Sequence, residues 1–238
     1  GCAFAPLLVG MMLFSEGQEA NLSFPYMMMG IVVLVVALIF SRVQLPEITH
    51  AEDTVQTETT ASKKGVWSNK LFVFGISALF CYEIAEISIN SFINYVVDDG
   101  WMNALDAAKL LSVAGLGLFM CGRFLGSWIM RFVRAEKFLL ICAIGTVVAT
   151  AMVVMNLGMV SFVSLILIYL FEAIMFPTIF AICLRGLGNN TKRASSYLMM
   201  TPIGGAVGPL LMGTVGDMTS MSFSFIVPLI SYMVVLAY

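Results

Sequence analysis

The chain has 238 residues, of which 60% are hydrophobic and 11% charged, with a net charge of −2 and a mean hydropathy of +0.98. Soluble domains carry about 25% charged residues, so an ordinary soluble globule is excluded and lipid becomes part of the solvent. The slightly acidic balance offers no basic patch of the kind that nucleic acid requires, and no nucleic-acid partner is expected.

Eight apolar segments follow in chain order, at about 1–14, 25–41, 70–97, 108–130, 138–155, 160–184, 195–216 and 222–238. A membrane-spanning helix needs about 20 residues at 1.5 Å each. The first segment is short, the chain opens at Gly1 inside one apolar run and closes at Tyr238 inside another, and a partial chain is expected. The pattern predicts an all-α polytopic membrane protein with about eight transmembrane helices.

Charge fixes an expected orientation. Arg42, Lys63, Lys64 and Lys70 lie between segments two and three. Arg123, Arg131, Arg134 and Lys137 lie around the junction of four and five, and Arg185, Lys192 and Arg193 between six and seven. The alternate loops hold Glu16, Glu19, Asp98, Asp99, Asp106 and Asp217, with Lys109 the one basic exception. The positive-inside rule makes the basic side cytoplasmic in a cell (inner or plasma) membrane.

The polar stretch between His50 and Gly65 has no aromatic residue and no apolar period, and is expected to be a flexible cytoplasmic tether. Residues 1–48 then read as the last two helices of a first bundle, 49–66 as the linker and 67–238 as a second six-helix bundle. Two six-helix halves are the plan of many transporters, so the N-terminal helices of the same protein are an expected partner. Segments two, five and eight are the plainest and suit lipid-facing positions. Segments three and six carry acids and suit a cavity. Segments one, four and seven carry glycine, proline or small residues that permit close helix approach.

On segment three, Glu83, Glu86, Asn90 and Asn94 are spaced three, four and four, which places them on one helical stripe. On segment six, Glu172 sits at mid-span and Pro177 interrupts the backbone ladder shortly after it. A carboxylate at a span centre costs roughly 2.5–3.5 kcal/mol on insertion scales, so each needs a water-filled cavity or partners. Two readings stand: substrate binding or coupling at Glu83, Glu86, Asn90, Asn94 and Glu172, or structural pairing with neighbouring helices. Phe176 and Phe180 suit stacking on a sugar face or contact with lipid.

Gly122-Arg123-Phe124-Leu125-Gly126 leads to Arg131 at the basic end of segment four; its glycines allow tight packing and its arginines can meet helix C-termini or acids, so it reads as conformational control or as plain charge anchoring. In segment seven, Pro202 and Pro209 bend the helix, while Gly204 and Gly208 form a small-xxx-small contact. Cys2, Cys81, Cys121, Cys142 and Cys183 fall in separate segments without metal spacing, and the one histidine, His50, lies in the linker. No metal site, cofactor or catalytic residue set is expected.

Met175-Phe176-Pro177-Thr178-Ile179-Phe180-Ala181, Gly186-Leu187-Gly188, Thr191-Lys192, Ser195-Ser196 and Met200-Thr201-Pro202-Ile203-Gly204-Gly205 resemble helices ten and eleven of the fucose permease and glucose/galactose transporter family of the major facilitator superfamily. Gly122-Arg123-Phe124-Leu125-Gly126 is similar to its eighth helix, and Ala85-Glu86, Ser91-Phe92 and Asn94-Tyr95 to its seventh. The resemblance implies the major facilitator fold over helices five to twelve. It also implies a sugar:cation symporter for a fucose-, glucose- or galactose-type hexose, coupled to a proton ahead of sodium. Glu172, Glu83 and Asn90 depart from the family pattern. A transporter of another small polar metabolite or a cationic compound is the alternative. A channel is disfavoured because the polar residues form short stripes, and an intramembrane enzyme because no nucleophile–base pair is visible.

Overall fold

The structure, a computed structural model, describes residues 23–42, 67, 69–98 and 100–238. The first expected segment and the expected linker lie outside the described residues. The other seven segments all fall on helices, and the described residues contain no strand.

The first described helix, α1, is Ser23–Arg42. Its run of valine, leucine and isoleucine leaves every described side chain exposed, as suits a surface covered by lipid or by other helices. Segment three forms α2, Lys70–Ile89, and α3, Phe92–Asp98. Asn69 caps α2, its side-chain oxygen accepting from the Leu71 N–H at 3.1 Å, which satisfies one of the orphan donors of the first turn.

Segment four is α4, Ala104–Leu110, one π turn at Leu111–Gly115, and α5, Leu116–Ile129. Segment five is α6, Ala135–Val154. A tight turn with positive φ at Asn156 and Gly158 returns the chain, and Ser161 closes it by accepting from Leu157 N–H and donating to the Met152 carbonyl. Segment six is α7, Met159–Glu172, and α8, Met175–Leu184.

Segment seven is α9, Thr191–Leu198, a 3-10 turn at Thr201–Ile203, and α10, Gly204–Met218. The turn follows from Pro202, which has no N–H for the Leu198 carbonyl; the Thr201 hydroxyl donates to that carbonyl instead, at 2.7 Å. Segment eight is α11, Met221–Ser224, and α12, Ile226–Ala237.

Five stretches of the described chain are long and apolar enough to cross a membrane: Lys70–Ile89, Leu105–Ile129, Ala135–Val154, Met159–Leu184 and Thr191–Met218. Helix α2 is the hub, packed against α8, α10 and α12, while α7 lies between α5 and α6. The core follows that arrangement, with Phe72, Leu79 and Ile89 of α2 enclosed with Leu165, Ile168 and Met175 from segment six and Phe225 from segment eight.

Helices α2 and α10 meet in a close seam. A Cβ on Gly204 would lie 2.6 Å from the Phe80 carbonyl, and one on Gly208 2.5 Å from the Ile84 carbonyl and 2.6 Å from Ser88 Oγ. The glycines are therefore what lets the two backbones touch, as the small-xxx-small spacing predicts. Segment eight departs from its expected lipid-facing role. Its Pro228, Ser231, Tyr232 and Val235 are buried against the bundle.

Candidate functional site

The polar residues of the bundle converge where α2 meets the junction of α7 and α8. Glu83 and Glu86 lie on α2 and Asn90 ends it, so the spacing of three and four does place them along one side. Glu83 is 8% exposed, Glu86 is half-buried and Asn90 is exposed. Glu86 interacts electrostatically with Glu83, Tyr82, Glu172 and Arg123. Asn94 falls on α3, and its side chain lies outside the described residues.

Glu172 is the last residue of α7 and is 1% exposed. Its Oε2 accepts from the Tyr232 hydroxyl of α12 at 2.7 Å. The two ion pairs among the described residues, Lys109–Asp106 and Arg185–Glu136, do not include it. The sequence leaves Glu172 either in a water-filled cavity or with partners on neighbouring helices; the structure encloses its carboxyl within the bundle, under a tyrosine. Enclosure is tolerated because a hydroxyl serves the carboxyl oxygen.

The break between α7 and α8 explains two further contacts. Pro177 has no N–H to give the Ala173 carbonyl, and Arg123 Nε of α5 donates to that oxygen at 3.2 Å. The Tyr82 hydroxyl of α2 donates to the neighbouring Glu172 carbonyl at 3.0 Å. Side chains of two other helices thus supply donors to the broken segment, as lipid-embedded backbone requires. Arg123, whose motif suits a helix C-terminus or an acid, thus meets the end of α7, with its guanidinium 5.1 Å over the Phe119 ring.

The glycines of this motif serve the same junction. A Cβ on Gly122 would lie 2.7 Å from the Leu170 carbonyl, and one on Gly126 3.0 Å from Ile174. Arg131 is exposed at the turn after α5. Phe176 stacks on Phe180 with ring centroids 6.1 Å apart and tilts against Tyr82 at 6.2 Å.

Three residues of this site went unnoticed in the sequence: Tyr82, Tyr169 and Tyr232, each 0–1% exposed. Tyr169 donates to the Ile89 carbonyl at 3.2 Å, with Asn90 Oδ1 at 3.4 Å. The available signal was local, since Tyr82 precedes Glu86 and Tyr169 precedes Glu172 by about one helical turn.

A helical bundle with apolar spans, interrupted helices and an acid enclosed at one of the interruptions is the architecture of a multi-pass membrane protein. The chain matches the Major Facilitator Superfamily over residues 1–201 and belongs to that family. It is 30% identical to a glucose/galactose transporter of Brucella abortus over 98% of this chain and 58% of the relative. It is 31% identical to the L-fucose-proton symporter of Escherichia coli over 81% of this chain and 45% of the relative. A crystal structure of the transporter FucP in its outward conformation superposes with a TM-score of 0.70 at 27% identity, covering 90% of this chain and 53% of that one. The chain therefore spans about half the length of the relatives it matches.

Proposed function

We propose that this chain is part of a sugar:proton symporter for a fucose-, glucose- or galactose-type hexose, working by alternating access in the cell (inner) membrane. The observation that carries the reading is the stripe of Glu83, Glu86 and Asn90 beside Arg123 at a broken helix, in a chain whose relatives are named as hexose transporters. Residues 67–238 form the C-terminal six-helix bundle, 49–66 the linker, and 1–48 the last two helices of the N-terminal bundle. The linker and the basic loops face the cytoplasm. Helices from the N-terminal half close the open side of the stripe, so uptake requires both halves.

In this reading Glu86 meets the sugar or the coupling proton at the partly open face, with Asn90 as a further hydrogen-bonding group. Glu172 acts from within the bundle. The test is uptake of labelled fucose, galactose and glucose into proteoliposomes holding the full-length protein, with and without an imposed pH or sodium gradient. A proton gradient should drive accumulation of at least one hexose. Glu86→Gln, which keeps shape and hydrogen-bonding capacity, should impair accumulation more than exchange if the acid couples protons, and lower affinity in both assays if it only binds sugar. Wild-type affinity, accumulation and pH dependence in both Glu86→Gln and Glu172→Gln would make the acids structural.

A further inference from the structure

Two of the interrupted helices of the bundle lie against each other, and in each the interruption is held by a tyrosine from the other. Helix α2 stops at Ile89 and the chain resumes as α3 at Phe92, while α7 stops at Glu172 and resumes as α8 at Met175. The Tyr82 hydroxyl of α2 donates to the Glu172 carbonyl at 3.0 Å. The Tyr169 hydroxyl of α7 donates to the Ile89 carbonyl at 3.2 Å. Each acceptor is therefore the last residue of the opposite helix, where the backbone ladder leaves carbonyls to be satisfied by other groups. Both tyrosines are 0–1% exposed. Packing alone would be served by phenylalanine, and a hydroxyl placed there demands an acceptor.

We infer that Tyr82 and Tyr169 are a reciprocal pair of positioning residues that makes the two interrupted, acid-bearing helices bend as one unit during transport. One contact would leave the helices free to pivot about it. Two contacts, separated by about two turns or 10 Å along α2, fix both the axial position and the tilt of one helix against the other. Straightening or shifting either interruption alone pulls a hydroxyl off its carbonyl, while moving both together keeps the two bonds. The acids ride on this clasp. Glu86 lies between Tyr82 and Ile89 in α2, and Glu172 is itself one of the two acceptors. A substrate or proton that moves one helix therefore moves the other.

The inference rests on the transporter reading above, and its test has an arm that does not. Tyr82→Phe, Tyr169→Phe and the double variant keep the rings and remove only the hydroxyls. They are made in the full-length protein, with Tyr197→Phe as a control because that exposed ring packs on Trp67 outside the cluster. Sugar affinity and the rate of sugar exchange are measured in proteoliposomes. Spin labels at Val97→Cys and Met159→Cys, both exposed, report the distance between α3 and the start of α7 with the native cysteines removed.

Each single variant should slow exchange about tenfold and broaden the distance distribution, with sugar affinity unchanged within about twofold. The double variant should be no more than about twofold slower than either single one, because the first loss already opens the clasp. Normal exchange with a narrow distribution in the single variants would overturn the inference. So would effects that multiply in the double variant, or loss of folded protein in either single one, which would make the hydroxyls simple stability elements. If the unmodified protein takes up none of the tested sugars, the transport reading fails, and the spin-label distances still decide the clasp.

Discussion

Helix α6 and the interrupted pair α7–α8 lie side by side and solve the same problem in opposite ways. The polar groups inside α6 bond to their own helix: Thr146 donates to the Ala143 carbonyl at 2.9 Å and Thr150 to the Thr146 carbonyl at 2.7 Å. The one acid of α6, Glu136, sits in its first turn. In α7–α8 the acid lies at the interruption, and the donors come from Tyr82 of α2, Arg123 of α5 and Tyr232 of α12. A helix that satisfies itself constrains its neighbours only by shape. An interrupted helix dictates the chemistry of side chains on three other elements, so damage there should spread while damage in α6 stays local.

The largest effect should come from glycines that let neighbours reach the interruption. A Cβ on Gly122 meets the backbone carbonyl of Leu170 at 2.7 Å, whereas one on Gly145 of α6 meets the Phe171 ring at 3.0 Å. A carbonyl held in a helix has little room to move, and a ring can shift by a few tenths of an ångström. Gly122→Ala should cost roughly 3 kcal/mol and remove much of the folded protein, while Gly145→Ala should cost under about 1.5 kcal/mol. Thermal unfolding of the detergent-solubilised protein, followed by size-exclusion chromatography, measures both. Equal losses would erase the contrast between the two helices.

Next in size is the enclosed acid. Tyr232→Phe leaves Glu172 without the hydroxyl at its Oε2, and should lower stability by about 1–3 kcal/mol. Thr150→Val on α6 removes a hydroxyl that only back-bonds within its own turn, and should cost under about 1 kcal/mol.

This contrast also explains what could be read from the sequence. Long apolar runs mark a span whatever it packs against, so the seven segments within the described residues were legible, as was the stripe of Glu83, Glu86 and Asn90 from its spacing. The interruptions were not. Asn90 and Ser91 look like tolerated polar residues in a continuous run, and Pro177 announces a bend but does not say that the helix stops at Glu172. The tyrosines were invisible for two reasons. Hydropathy counts their rings as apolar, and their partners lie 60 to 90 residues away in sequence. Segment eight looked lipid-facing because an apolar helix reads alike against lipid and against protein.

The smallest effect should come from the ion pair that joins α6 to the residue after α8. Arg185 Nη1 and Glu136 Oε1 are 2.5 Å apart, with both side chains 57% exposed. The short distance suggests strength, and the exposure decides against it. Water and salt screen both charges, and holding two long side chains in one geometry costs entropy, so such pairs contribute about 0.2–1 kcal/mol. Arg185→Gln should therefore shift unfolding by no more than that, and raising ionic strength from about 0.05 to 0.5 M should remove most of the difference. Here α6 and α8 meet on equal terms, through groups that neither helix needs for its own backbone. A loss as large as that from Tyr232→Phe would show that this end of α8 depends on its neighbour as strongly as the interrupted end does, and the division between self-satisfied and neighbour-satisfied helices would have to be drawn elsewhere.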